Sequence, residues 1–166
     1  MDTQNRLSMF IKTLWVIWTL PNTLLGMTFG LLGLLFGGRI QFVRGCVEFY
    51  GGLVAWILRR LPNNPAAMTI GHTIIGRTDF DLLVARDHEH VHVRQYERWG
   101  ILFIPAYFLA SGWMWWKGKN PYWDNPFEVE AYGIARPDRN AFSKMKNLKG
   151  KTDGDGNKGD GDATGD

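Results

Sequence analysis

From Met9 to Gly38 the chain reads MFIKTLWVIWTLPNTLLGMTFGLLGLLFGG, with no charge after Lys12. The apolar run Thr13–Phe36 is 24 residues long. At about 1.5 Å per residue, a helix of that length crosses a hydrocarbon layer about 30 Å thick. Pro21 and Asn22 interrupt the run, a break that membrane helices tolerate where neighbouring groups satisfy the freed backbone. Gly26, Gly30 and Gly33 are small enough to admit a close helix neighbour. The run is too long for a cleaved signal peptide and no small-residue cleavage site follows it. The pattern therefore predicts an N-terminal membrane-inserted segment over residues 1–44, with its apolar run at about 13–36. A buried core helix or an interfacial hairpin would give the same pattern. Arg6 and Lys12 flank one end of the run, and Arg39 and Arg44 the other, so orientation stays open.

Residues 45–61, GCVEFYGGLVAWILRRL, read as a mostly apolar helix ended by Pro62. AAMTIGHTIIGRT (66–78) is β-branched and short, and Gly71-His72 between its apolar halves suits a two-residue type II′ hairpin. Thr78 is then an N-cap, Asp79 and Asp81 favour the first turn, and the helix runs over 79–99 to a stop at Gly100. Residues 99–116, WGILFIPAYFLASGWMWW, carry no charge for 18 positions, the lower limit for a span. Their helical part is expected at about 104–117, either embedded in lipid or buried in the core. Asn125 as N-cap, Pro126 as first residue and Pro137 as stop predict a short helix over 126–136. The expected fold is mainly α with a small β-hairpin (α+β), its core at 45–145.

Residues 146–166 form a Gly/Asp/Lys tail with nothing to bury, expected to be disordered. Its DGDGNKG stretch departs from a calcium loop: Lys158 stands where the sharp-turn glycine belongs, and no glutamate closes the loop. The net charge is +3, and the tail is acidic, so positive charge gathers in the remainder. Arg39, Arg44, Arg59, Arg60, Arg94, Arg98, Lys117 and Lys119 border apolar runs, which fits an anionic lipid surface. No nucleic-acid-binding motif accompanies the charge, so the expected partner is a lipid bilayer and not nucleic acid. Cys46 is the one cysteine, which excludes an intrachain disulfide and a cysteine-based zinc knot.

ARDHEHVHVRQYE (85–97) gathers three of the four histidines. Residues four apart share a helix face, so His88 and His92 project together. His90 lies about 200° round the helix from His88 and cannot complete a three-histidine site. Glu89 follows the first ligand, giving H-E-x-x-H. Zinc takes two imidazoles and a third protein ligand, and a carboxylate beside it can accept a proton from water. The third ligand is sought in NPFEVEAY: Glu128 first, Glu130 as the alternative. Asn125-x-x-Glu128 is also a capping-box spacing, so Glu128 could cap its helix, ligate, or do both. Ala131, small, would let that helix come close to the histidine helix.

His88-Glu89-x-x-His92 followed by Glu128-x-x-Ala131 resembles the gluzincin branch of zinc metallopeptidases. HEHVHVRQYE also resembles the start of minigluzincin-like bacterial domains, with an HExxHxxQ helix and an ExxA helix. The resemblance covers roughly residues 66–136. It implies a zincin-like mini catalytic core, with His88, His92 and Glu128 as Zn²⁺ ligands and Glu89 as general base. It also implies a peptide or protein substrate and a bacterial inner-membrane location. Arg86, Asp87 and Arg94 depart from the uncharged surroundings usual in such helices. Tyr132 stands where many gluzincins have an aspartate. Tyr132, Tyr96 and His72 are the candidates to orient a ligand or to donate to the transition state. A competing reading is a non-catalytic membrane protein that keeps the fold with a structural metal, or with none. A di-iron carboxylate site is disfavoured, because it normally needs a second E-x-x-H and the chain has one.

Overall fold

The computed structural model describes residues 3–135; the tail and Pro137 lie outside them. Helix α1 (Thr3–Leu35) leads into strands β1 (Gly38–Val43) and β2 (Cys46–Gly51) and a short helix α2 (Gly52–Leu58). Strands β3 (Ala67–Ile70) and β4 (Thr73–Gly76) precede helix α3 (Asp79–Trp99). A single 3-10 turn at Gly100–Leu102 then joins α3 to α4 (Phe103–Trp116), and α5 (Pro126–Ile134) closes the order. The strands form one sheet in the order β1-β2-β4-β3, with β2 and β4 parallel and the outer pairs antiparallel. The class is α+β, but the sheet is larger than the single hairpin expected.

The helix expected over 45–61 is half strand. Arg44 and Gly45 both take positive φ, 50° and 84°, and turn β1 back into β2. Gly51 and Gly52, at φ 78° and 49°, then let the chain leave the strand and enter α2. The segment looks helical because β2 is covered on both faces, and such strands lose their polar alternation. Cys46, Glu48 and Tyr50 face α3, whereas Val47 and Phe49 face α1 and α2. Burial, with Glu48 second, pushes the Cys46 thiol up to about 11, so it is a packing residue. Strand β1, which the sequence grouped with the N-terminal segment, belongs to this sheet. The β3–β4 turn is of the expected kind: Gly71 has φ 66° and His72 does not go positive.

Three layers result, with α1 and α2 on one face of the sheet and α3 on the other. Pro21 lies within α1 without ending it. The buried positions of α1 form one stripe: Thr19, Asn22, Gly26, Gly30 and Gly33. The glycines expected to meet a second helix meet the sheet and α2. A Cβ at Gly30 would run into the Phe49 ring, and one at Gly33 would crowd Val54. Asn22 donates to the Gly100 carbonyl at 2.8 Å, which ties α1 to the end of α3. The outward face carries Trp15, Ile17, Leu24, Phe29, Leu31 and Leu35, all exposed. Leu14–Leu35, 22 residues, is long and apolar enough to cross a membrane. Helix α4 is not a core helix: Phe103 is its one buried residue, and Phe108, Leu109, Trp113, Trp115 and Trp116 are exposed.

Across the sheet, Glu48 is wholly buried and takes two bonds from Arg86, at 2.9 and 3.0 Å, and a third from Gln41. Asp87 pairs with Arg44 at 2.6 Å on the surface. Arg86 and Asp87, two of the three charges that depart from a metallopeptidase helix, thus fasten α3 to the β1–β2 hairpin. Arg86→Ala would leave a buried carboxylate without its cation, and should cost about 3–5 kcal/mol of stability. Thermal or denaturant unfolding of the variant beside the parent protein measures it.

Candidate metal centre

Helix α3 begins and ends where its sequence signals stand. The Thr78 hydroxyl accepts from the Asp81 amide at 3.0 Å, and Gly100 follows Trp99. The 21-residue helix fixes His88 and His92 one turn apart on its buried face. Helix α5 begins at Asn125, whose side chain accepts from the Phe127 amide at 3.0 Å. The same side chain donates to the Tyr107 carbonyl and the Ser111 hydroxyl of α4. Ala131, fully buried, sits on the inner face of α5, which packs against α3. Glu128 is thereby carried to the two histidines.

His88, His92 and Glu128 are all buried, and one ligand atom from each lies within 4.8 Å of the others. The closest approaches are shorter. The His88 and His92 Nε2 atoms are 3.2 Å apart, and they lie 3.4 and 3.5 Å from Glu128 Oε2 and Oε1 respectively. The carboxylate therefore presents both oxygens, one toward each ring. Ligands about 2.0–2.2 Å from a tetrahedral ion stand about 3.3–3.6 Å from one another, so the spacing suits a cation among them. Among the described residues, buried Glu128 Oε2 has no hydrogen-bond partner, as expected of an oxygen reserved for a metal. The group can hold a metal ion.

Glu128 does not close a capping box, because the Asn125 amide donates to the Tyr122 carbonyl instead. Glu130 points elsewhere: it accepts from Gln95 at 2.9 Å and from Arg98 at 3.3 Å. The structure places Glu128, and not Glu130, beside the imidazoles. Gln95, three residues beyond His92, holds its Oε1 2.8 Å from His92 Nδ1. Accepting there places the Nδ1 proton toward the glutamine and leaves Nε2 for the ion. Its Nε2 donates to the Phe127 carbonyl, so one side chain orients a ligand and joins α3 to α5.

Glu89, 5% exposed, accepts a 2.7 Å bond from the Thr69 hydroxyl of β3. Tyr132 lays its ring 4.3 Å from that of His88, with its hydroxyl 3.3 Å from the Tyr122 hydroxyl. Tyr107, on α4, donates to Glu128 Oε1 at 2.7 Å. Sequence reasoning missed Tyr107, which stood only as part of an apolar helix, and Tyr122. Two of the expected donors lie elsewhere. Tyr96 is a buried ring packed 4.2 Å from Phe103. His72 places Nδ1 3.1 Å from the Thr19 hydroxyl and Nε2 3.2 Å from Glu97, so it fastens the hairpin turn to α1 and α3. His90 sits apart as expected, and burial, aided by Arg44, holds its pKa below the usual histidine value.

Burial opposes charge on both Glu128 and His92, but the groups facing each other override it. The adjacent His88 and His92 imidazoles, 3.4 and 3.5 Å from its oxygens, hold Glu128 down at about 2. His92 is raised to about 9 by Glu128 and Glu89. Metal-free protein at neutral pH thus has a protonated His92 facing an ionised Glu128. Against known proteins, the chain matches no family model, no curated protein and no solved structure.

Two outcomes follow from this arrangement. His92→Ala should abolish metal retention, and Gln95→Ala should weaken it about 10–100-fold; elemental analysis of the dialysed proteins reads both. A metal must displace the His92 proton below a pH of about 9. Affinity should therefore rise about tenfold per pH unit up to that point and level off above it. Calorimetry in buffers of different ionisation enthalpy should find about one proton released at neutral pH.

Proposed function

We propose that the protein is a membrane-associated, zinc-dependent peptidase of gluzincin type. The observation that carries the reading is the meeting of His88, His92 and Glu128, brought from two helices, beside Glu89 of the same H-E-x-x-H helix. Two imidazoles and a carboxylate, buried and spaced for a tetrahedral ion, are a donor set that zinc favours. Zinc bound there would supply Lewis acidity, lowering the pKa of water and polarising a carbonyl.

The protein's own groups carry the rest. Glu89 accepts the proton of the attacking water and returns it to the leaving amine. The Thr69 hydroxyl holds its carboxylate from the β3 side. Tyr132, its ring tilted against that of His88, would donate to the carbonyl oxygen as it gains charge. Tyr107 holds Glu128 in place. Strand β3 is an edge of the sheet, and an extended peptide added there would run past Glu89. The outward apolar faces of α1 and α4 support attachment to a bilayer. The resemblance to bacterial domains supports an inner-membrane setting.

Burial of Glu89 and its bond to Thr69 favour a second reading, in which the metal is structural and the chain does not turn over. One substitution separates the two. Glu89→Gln should keep the metal and lower peptide cleavage about 10²–10⁴-fold. Mass spectrometry of a peptide library, with metal content measured alongside, reads both. Cleavage that survives in this variant at full metal content overturns Glu89 as the base, and no cleavage by the metal-loaded parent supports the structural reading.

A further inference from the structure

We infer that α1 does not cross the bilayer but lies along it, with its large apolar face sunk in one leaflet and the metal-bearing core above. The inference rests on the membrane association proposed above and adds its geometry. The polarity of α1 is divided across its axis and not along it. Thr19, Asn22, Gly26, Gly30 and Gly33 make one buried stripe, and Ile17, Leu24 and Leu31 stand exposed on other sides. A soluble protein would bury the large side chains and expose the small and polar ones; here the arrangement is reversed.

The core follows α1 along nearly all of that stripe. Asn22 bonds the Gly100 carbonyl, Gly26 abuts Ile70 and Thr73, Gly30 abuts Phe49, and Gly33 abuts Val54. From Thr19 to Gly33 the axis rises about 21 Å, most of the thickness of a hydrocarbon layer. An upright α1 would therefore carry the sheet and α3 into the lipid with it. That would immerse the Arg44–Asp87 pair, whose side chains are 61% and 62% exposed, together with exposed Arg94 and Arg98 of α3. Exposed charges do not persist in hydrocarbon.

With α1 in the plane, Asp87, Arg94 and Arg98 belong to α3 on the far side of the sheet, Arg44 reaches Asp87 from the β1–β2 turn, and all four stay in water. The apolar surface also continues past α1. Trp18 lies against Gly100, and Ile101 and Leu102 beside it are exposed, leading to α4. Cations stand just beyond both apolar helices: Arg39 after α1, and Lys117, over the Trp113 ring at 4.7 Å, after α4. Basic and tryptophan side chains at the rim of an apolar face fit the headgroup layer of an anionic leaflet.

Residues 17, 24 and 31 are seven apart, so they share a side of the helix. Ile17→Cys, Leu24→Cys and Leu31→Cys, each spin-labelled in the full chain, are bound to vesicles of equal parts phosphatidylcholine and phosphatidylglycerol. Cys46 is 2% exposed, and the labelled parent protein serves as the blank. Relative collision with oxygen and with a water-soluble nickel chelate gives each label's depth. The in-plane arrangement expects the three depths to agree, about 5–10 Å below the headgroups. A deep label at Leu24 with shallow labels at Ile17 and Leu31 overturns it and leaves membrane attachment standing. Labels equally open to the chelate with and without vesicles, on protein that does not float with them, overturn the membrane reading itself.

Discussion

Glu128 is 3% exposed and has an imidazole on either side. A carboxylate so placed must be matched by positive charge or its burial is prohibitive. The surrounding elements are arranged to keep that match. Asn125 starts α5 and ties it to α4, which fixes the direction of Glu128. Gln95 clasps Phe127 while holding His92 by Nδ1. Tyr107 takes one of the carboxylate's remaining lone pairs. What completes the balance is either a proton on His92 or a cation among the three ligand atoms. That exchange explains why an apparently structural ion pair and a metal site can be built from the same residues.

Local chemistry was legible in the sequence wherever neighbours in the chain decide it. Thr78 and Gly100 bound α3, four-residue spacing paired His88 with His92 and set His90 aside, and Gly71 turned the β3–β4 hairpin. The cap-or-ligand ambiguity at Glu128 was of another kind, because both roles use the same spacing after Asn125. What decides it is the Asn125 amide, already engaged by Tyr122, which leaves the carboxylate free to turn inward. Tyr107 reaches Glu128 only because the chain from 117 to 125 folds α5 back on α4, and no periodicity records that. The β1–β2 hairpin was hidden for a related reason. Its inward Glu48 looks like a helix-surface charge until Arg86, far along the chain, is seen to meet it.

The glycine stripe of α1 shows how one pattern can serve two neighbours. Small residues at Gly26, Gly30 and Gly33 allow close approach, which in a membrane protein is usually another helix. Here the neighbours are a strand, a hairpin turn and α2. Asn22, which looked like an interruption, is the polar contact that anchors the helix to the protein.

That anchor also joins the two halves of the molecule. The Gly100 carbonyl bonded by Asn22 lies where α3 ends and the chain turns into α4. Helix α3 brings the histidines, and α4 brings the hydroxyl that holds Glu128. Moving α1 relative to the core would strain the junction that sets the angle between α3 and α4, and with it the bond from Tyr107. The contact that turns the large side chains of α1 outward is therefore also a support of the ligand geometry. The Asn22–Gly100 contact thus links the seating of α1 to the end of α3, the helix that carries His88 and His92.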